Sequence, residues 1–128
     1  MLTEKDYCDY ETCVALKELG YIGQGRCYYD LDKYKNQLRH FGIQVLTTRS
    51  AKALNFVLAV HLYEAQKWLR EEKKLHITIF SQSQESWQYR ITTPHQKLED
   101  GLHGEDFSSF EEALSEGVRN AVEILKEK

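Results

Sequence analysis

Three cysteines, five histidines and one run of basic residues are the side chains here whose types could do chemistry or grip a ligand. Cys8, Cys13 and Cys27 with His40 supply the donor types of a four-ligand zinc site. Cys8 and Cys13, however, stand five residues apart on an expected helix, which turns them about 140° from each other. They also miss the short Cys-x2-4-Cys spacing of metal knuckles. A cysteine nucleophile needs a thiolate-stabilising neighbour and a base, and no His adjoins any Cys in the chain. Buried free thiols are the simpler expectation. His95, Asp100, His103 and Asp106 bring imidazole and carboxylate onto one polar loop, the donor types for a divalent metal, but without a recognised spacing. They read as solvated turn residues. With no catalytic, cofactor or metal residue nominated, the chain is expected to be non-enzymatic.

Binding through charge is the next option. Lys33, Lys35, Arg39, Arg49 and Lys52 lie in a stretch from 33 to 52 without any Asp or Glu, the one segment suited to a polyanion such as nucleic acid. Trp87 and Tyr89 with Arg90 behind them suggest bases stacking on a sheet. Alternation argues otherwise, because Trp87, Tyr89 and Ile91 share one face and read as core, with Arg90 on the other face toward water. Gly20-x-x-Gly23-x-Gly25 follows a helix rather than a strand, so it lacks the context of a phosphate-binding loop and is expected to end that helix.

The elements that must position these residues follow from periodicity. Thr3 and Asp6 have the form of a weak capping box, and Tyr7, Tyr10, Val14, Leu16 and Leu19 predict a helix over 5–19. Residues 26–31 predict a strand, and 33–49 a loop with a short strand at 43–46. From 51 to 74, one long helix competes with a buried strand over 55–60 and a helix that begins near His61; the second reading is preferred, with helix start near 51 left as the alternative. Leu75, Ile77 and Ile79, then Trp87, Tyr89 and Ile91, alternate as two antiparallel strands around 81–86. Pro94 is expected to end the second strand, with a polar turn near residues 100–106 after it. Ser108 or Ser109, followed by Glu111 and Glu112, caps a last helix with a stripe of Phe110, Ala113, Leu114, Val118, Ala121, Val122 and Leu125.

The expected architecture is therefore a single α+β domain over 1–128: an antiparallel sheet with a central hairpin at about 75–92, and three helices packed mainly on one face. A chain of 128 residues with 41% hydrophobic and 29% charged residues can hold a core without metal or disulfides. Three cysteines are an odd count, and Met1 runs into polar residues rather than a signal sequence, so a cytoplasmic setting is expected. The apolar stretch 54–62 is far too short for a membrane span. The net charge of −3 is uneven: residues 1–95 carry 13 Lys+Arg against 11 Asp+Glu, and 96–128 carry 4 against 9.

The run Leu62-Tyr63-Glu64-Ala65-Gln66-Lys67-Trp68-Leu69-Arg70-Glu71, then Leu75-His76-Ile77 and Ser109-Phe110-Glu111-Glu112-Ala113-Leu114, resembles a family of small uncharacterised proteins of Bacteroides and its relatives. These often lie in mobile or phage-derived regions. Asp6-Tyr7-Cys8 with Val14 and Leu16-Lys17 is similar to that family's opening, and residues 26–58 fall outside the likeness. The resemblance implies an accessory module of a mobile element and carries no site residue. A weaker likeness, in the order helix, hairpin, acidic turn and Glu-Glu-Ala helix, is to HicB-type antitoxin domains and implies a toxin-binding surface. The order α-β-β-α also resembles a double-stranded RNA-binding domain, but Glu111, Glu112 and Glu116 stand where phosphate-gripping lysines would be. The leading expectation is a protein-interaction module with a protein partner or a second copy. Nucleic-acid binding through 33–52 and toxin binding are the alternatives.

Overall fold

The computed structural model describes residues 6–30, 37–40, 45–54, 56–83, 86–93, 97–100 and 107–126. The fold is α+β, with four helices and small antiparallel sheets among the described residues. The chain divides into two compact units, Met1–His61 and Leu62–Lys128.

The first unit opens with Tyr7 and Cys8 in extended backbone: Tyr7 bridges His61, and the Cys8 N–H donates to the Val60 carbonyl at 2.8 Å. Helix α1 spans Tyr10–Glu18, and its N-cap is Asp9, whose carboxylate accepts from the Thr12 N–H at 2.8 Å. This corrects the expected start near residue 5, because Cys8 spends its backbone on Val60 and leaves Asp9 as the first side chain able to cap. Residues 3–5 lie outside the described ones. The helix ends as expected at Gly20, with φ at +106°. The Tyr21 N–H reaches back to the Leu16 carbonyl and the Gly20 N–H to that of Lys17, a Schellman pair that only a left-handed residue closes without strain.

Strand β1 (Gln24–Gly25) pairs with β4 (Leu46–Thr47), and β2 (Cys27–Asp30) lies between β3 (Arg39–His40) and β5 (Phe56–Leu58), all antiparallel. Helix α2 (Thr48–Ala53) separates β4 from β5. The stretch from 51 to 74 thus contains the buried strand that the sequence favours. It is preceded by a short helix from Thr48, and its second helix starts at Leu62. The expected strand at 43–46 is represented by β4; residues 41–44 lie outside the described ones. The core of this unit includes Leu16, Leu46, Val57, Leu58 and Val60.

The second unit is α3 (Leu62–Glu72), β6 (His76–Ser83), β7 (Ser86–Thr92), β8 (Lys97–Asp100) and α4 (Phe110–Lys126), with strand order β6-β7-β8. The hairpin pairs Ile77 with Ile91 and Ile79 with Tyr89, the register that alternation demands. Strand β8 was not expected: Arg90 pairs with Asp100, Ile91 with Glu99 and Thr92 with Lys97. The polar turn assigned near 100–106 is therefore corrected at its start, since Asp100 belongs to a strand. Helices α3 and α4 pack on this hairpin, burying Leu62, Ala65, Leu69, Leu114, Val118 and Val122 against Leu75, Ile77, Tyr89 and Ile91. Helix α4 starts where Ser109 Oγ accepts from the Glu112 N–H at 3.1 Å, the expected cap.

Candidate functional site

The three cysteines are free and buried, and all lie in the first unit. The structure corrects the expectation that Cys8 and Cys13 point apart. Cys8 precedes the helix instead of riding on it, and the Cys13 thiol turns back onto it, bonded to its carbonyl. The Cys13 Sγ accepts from the Val60 N–H at 3.3 Å and donates to the Cys8 carbonyl at 3.6 Å, which also accepts from the Tyr29 hydroxyl at 2.7 Å. A small polar node thus ties the entry of α1 to β2 and to the segment after β5. The neighbouring Cys13 thiol and burial push the Cys8 thiol well above its usual range, with Asp9 adding to the effect. Such a thiol is protonated and shielded, the opposite of an activated nucleophile.

Cys27 donates to the Tyr7 hydroxyl at 3.7 Å, and Tyr7 packs edge-on against His61 at 5.5 Å. Burial, Cys27 and the charge of Asp6 push the Tyr7 phenol up to about 12. His40 is the register partner of Cys27 across β2 and β3. Among the described residues, no group of three His, Cys, Asp or Glu side chains is placed to hold a metal ion. His95, His103 and Asp106 lie outside the described residues.

On the second unit, Tyr89 and Ile91 are buried under the helices, and Trp87 meets Phe110 edge-on at 5.7 Å. The aromatic row is core, as alternation requires. The opposite face differs from the expected watered surface. Gln88 is only 3% exposed, and the Arg90 guanidinium lies over the Phe80 ring at 5.4 Å, a cation–π contact. Strand β6 pairs with β7 on one side and, among the described residues, with no strand on the other. Gln66 Nε2 donates to the Ile77 carbonyl at 2.8 Å.

Of the basic residues singled out by sequence, Arg39 lies exposed on β3, and Arg49 and Lys52 lie exposed on α2. Lys33 and Lys35 lie outside the described residues. Sequence reasoning missed Arg26, which is exposed in the bend between β1 and β2; its neighbours in space are separated from it by twenty residues of chain, so no local pattern marks it. No helix among the described residues is long and apolar enough to cross a membrane. No family model, no curated protein and no solved structure matches this chain.

Proposed function

We propose that the chain is a non-enzymatic, cytoplasmic protein-interaction module that works as a pair of copies joined along the outer edge of β6. The single observation that supports this is the make-up of that edge. Strand β6, His76-Ile77-Thr78-Ile79-Phe80-Ser81-Gln82-Ser83, runs for eight residues without a Lys, Arg, Asp, Glu or Pro. Proteins that must keep an edge unpaired blunt it with such residues or shorten it. An uncharged strand also meets no like charge when its partner is itself, so a two-fold antiparallel pairing is unopposed. The same pairing would satisfy the backbone groups that β7 does not use, apart from the Ile77 carbonyl, which Gln66 of α3 already holds. The sequence resemblance supports a role as an accessory module of a mobile element or phage-related genome.

Sedimentation of the full chain is expected to give twice the 15.1 kDa monomer mass at high concentration. Thr78 is exposed on β6, so Thr78→Lys leaves the fold intact and puts a charge on each copy of the paired edge. That variant is expected to sediment as a monomer with an unchanged far-UV spectrum. A wild-type chain that stays monomeric, or a dimer indifferent to Thr78→Lys, removes the proposal.

A further inference from the structure

We propose that the outward face of the β1–β4 ribbon, together with the first turn of α2, is a contact site for the major groove of duplex DNA. This goes beyond the self-association reading and does not depend on it. Gln24 is the register partner of Thr47, and Gly25 that of Leu46. The ladder is prolonged one step by the Thr48 N–H on the Gly23 carbonyl at 3.0 Å and by the Gly23 N–H on Thr48 Oγ1 at 2.9 Å. Leu46 is buried, while Gln24 and Thr47 in the strands, Ile22, Arg26 and Val45 beside them, and Arg49 in the first turn of α2 are all exposed.

The outward set is ordered. The polar pair Gln24 and Thr47 is at its centre, Arg26 lies toward the Val45 end, and Ile22 lies toward the Arg49 end, with Lys52 exposed three residues further along α2. None of these residues is acidic, and among the described residues none of the three cations is paired with a carboxylate. Arg26, in the bend after β1, and Arg49, in the first turn of α2, flank the Gln24–Thr47 pair from opposite ends. The major groove is about 12 Å wide and admits a two-stranded ribbon, and exposed cations on either side of the polar pair suit the phosphates that line it.

Gln and Thr between them are side chains that read base edges, and Ile22, 84% exposed, and Val45, 49% exposed, are apolar groups suited to a thymine methyl. An acidic polypeptide would be held by the charges but would leave this central polar pair without a role. The narrow, deep major groove of duplex RNA would not admit the ribbon. Charge distribution agrees: residues 1–61 carry 8 Lys+Arg against 7 Asp+Glu, so the acid excess lies in the other unit.

The test is fluorescence anisotropy of the full chain with a labelled, mixed-sequence DNA duplex of about two turns, titrated at several salt concentrations. Three phosphate contacts give a log–log salt slope of about −2.7, a loss of roughly 40-fold between 50 and 200 mM salt. Arg26→Gln and Arg49→Gln are each expected to reduce the slope by about 0.9 and weaken binding at 50 mM salt, while thermal midpoints stay unchanged because both side chains are solvent-exposed. The combined Arg26→Gln, Arg49→Gln and Lys52→Gln chain is expected to lose binding. Poly-glutamate should compete weakly. No salt-dependent binding of the duplex, binding by the triple variant equal to wild type, or preference for poly-glutamate or duplex RNA would overturn the proposal.

Discussion

Replacing Gly117 with valine is expected to destabilise the protein by about 3 kcal/mol, although the same change in an open helix would be close to neutral or favourable. Gly117 is buried in the middle of α4, where the helix crosses the hairpin. A Cβ built there would lie 2.8 Å from the Ile77 Cγ2 methyl and 3.4 Å from the Tyr89 ring. Ile77 is β-branched, restricted at χ1 and itself buried, so it has little room to swing aside. The helix would have to lift, and contacts of Ala113, Leu114, Val118 and Ala121 with the sheet would loosen together. The bond from Asn120 to the Tyr89 hydroxyl, one turn further on, would stretch as well. Chemical denaturation measures the loss. In an Ile77→Ala background, where the offending methyl is gone, Gly117→Val should cost at least about 1 kcal/mol less, a coupling that a general loss of helix propensity would not produce. A neutral or stabilising Gly117→Val would show that α4 does not sit this close to the strands.

The second large effect is alkaline. Cys8 and Tyr7 both hold their protons more tightly in the folded chain than at their ordinary values of 9.0 and 10.0, and Tyr7 is raised to about 12. The unfolded chain therefore gives up these protons first as pH rises, and it binds fewer protons than the folded chain across that window. Stability is fully present below about pH 9, falls first through Cys8, and falls further through Tyr7 between about pH 10 and 12. The slope from one fully protected group is about 1.4 kcal/mol per pH unit. The buried Cys8 should approach it, and Tyr7, which is partly solvated, should contribute less. Unfolding free energies measured from pH 8 to 11 test this. Cys8→Ala should flatten the curve from pH 9, and Tyr7→Phe only from pH 10. Parallel curves for wild type and Cys8→Ala would mean that the thiol titrates freely in the folded protein.

How far these features were legible in the residues depends on whether their cause is local. The hairpin of β6 and β7 is written in alternation, and α4 in its apolar stripe and the Ser109 cap. Strand β8 is not, since Lys97-Leu98-Glu99-Asp100 has no alternation and is ordered by pairing with β7. Helix α2 is six residues long, and reciprocal bonds between Thr47 and Ser50 start it, the Ser50 N–H on Thr47 Oγ1 at 3.0 Å and the Thr47 N–H on Ser50 Oγ at 2.9 Å. A serine in the place where a capping box usually carries Glu hides that signal. The cysteine pair was misjudged through a single boundary: moving the helix start from residue 5 to Tyr10 takes Cys8 off the helix and turns two divergent thiols into neighbours. Positive charge at Arg49 and Lys52 was visible, but its companion Arg26 joins it only through the β1–β4 register.

The most direct test of the central claim, that the outer edge of β6 is an interface between two copies, is amide hydrogen exchange of the full chain across a concentration series. The outward-facing amides of β6 should exchange quickly at low concentration and become protected as the protein is concentrated, while those bonded to β7 stay protected throughout. Thr78→Lys should abolish the concentration dependence and leave the β7-facing set unaffected. Rapid exchange of the outward set at every concentration, in a chain whose β7-facing amides remain protected, would contradict the account.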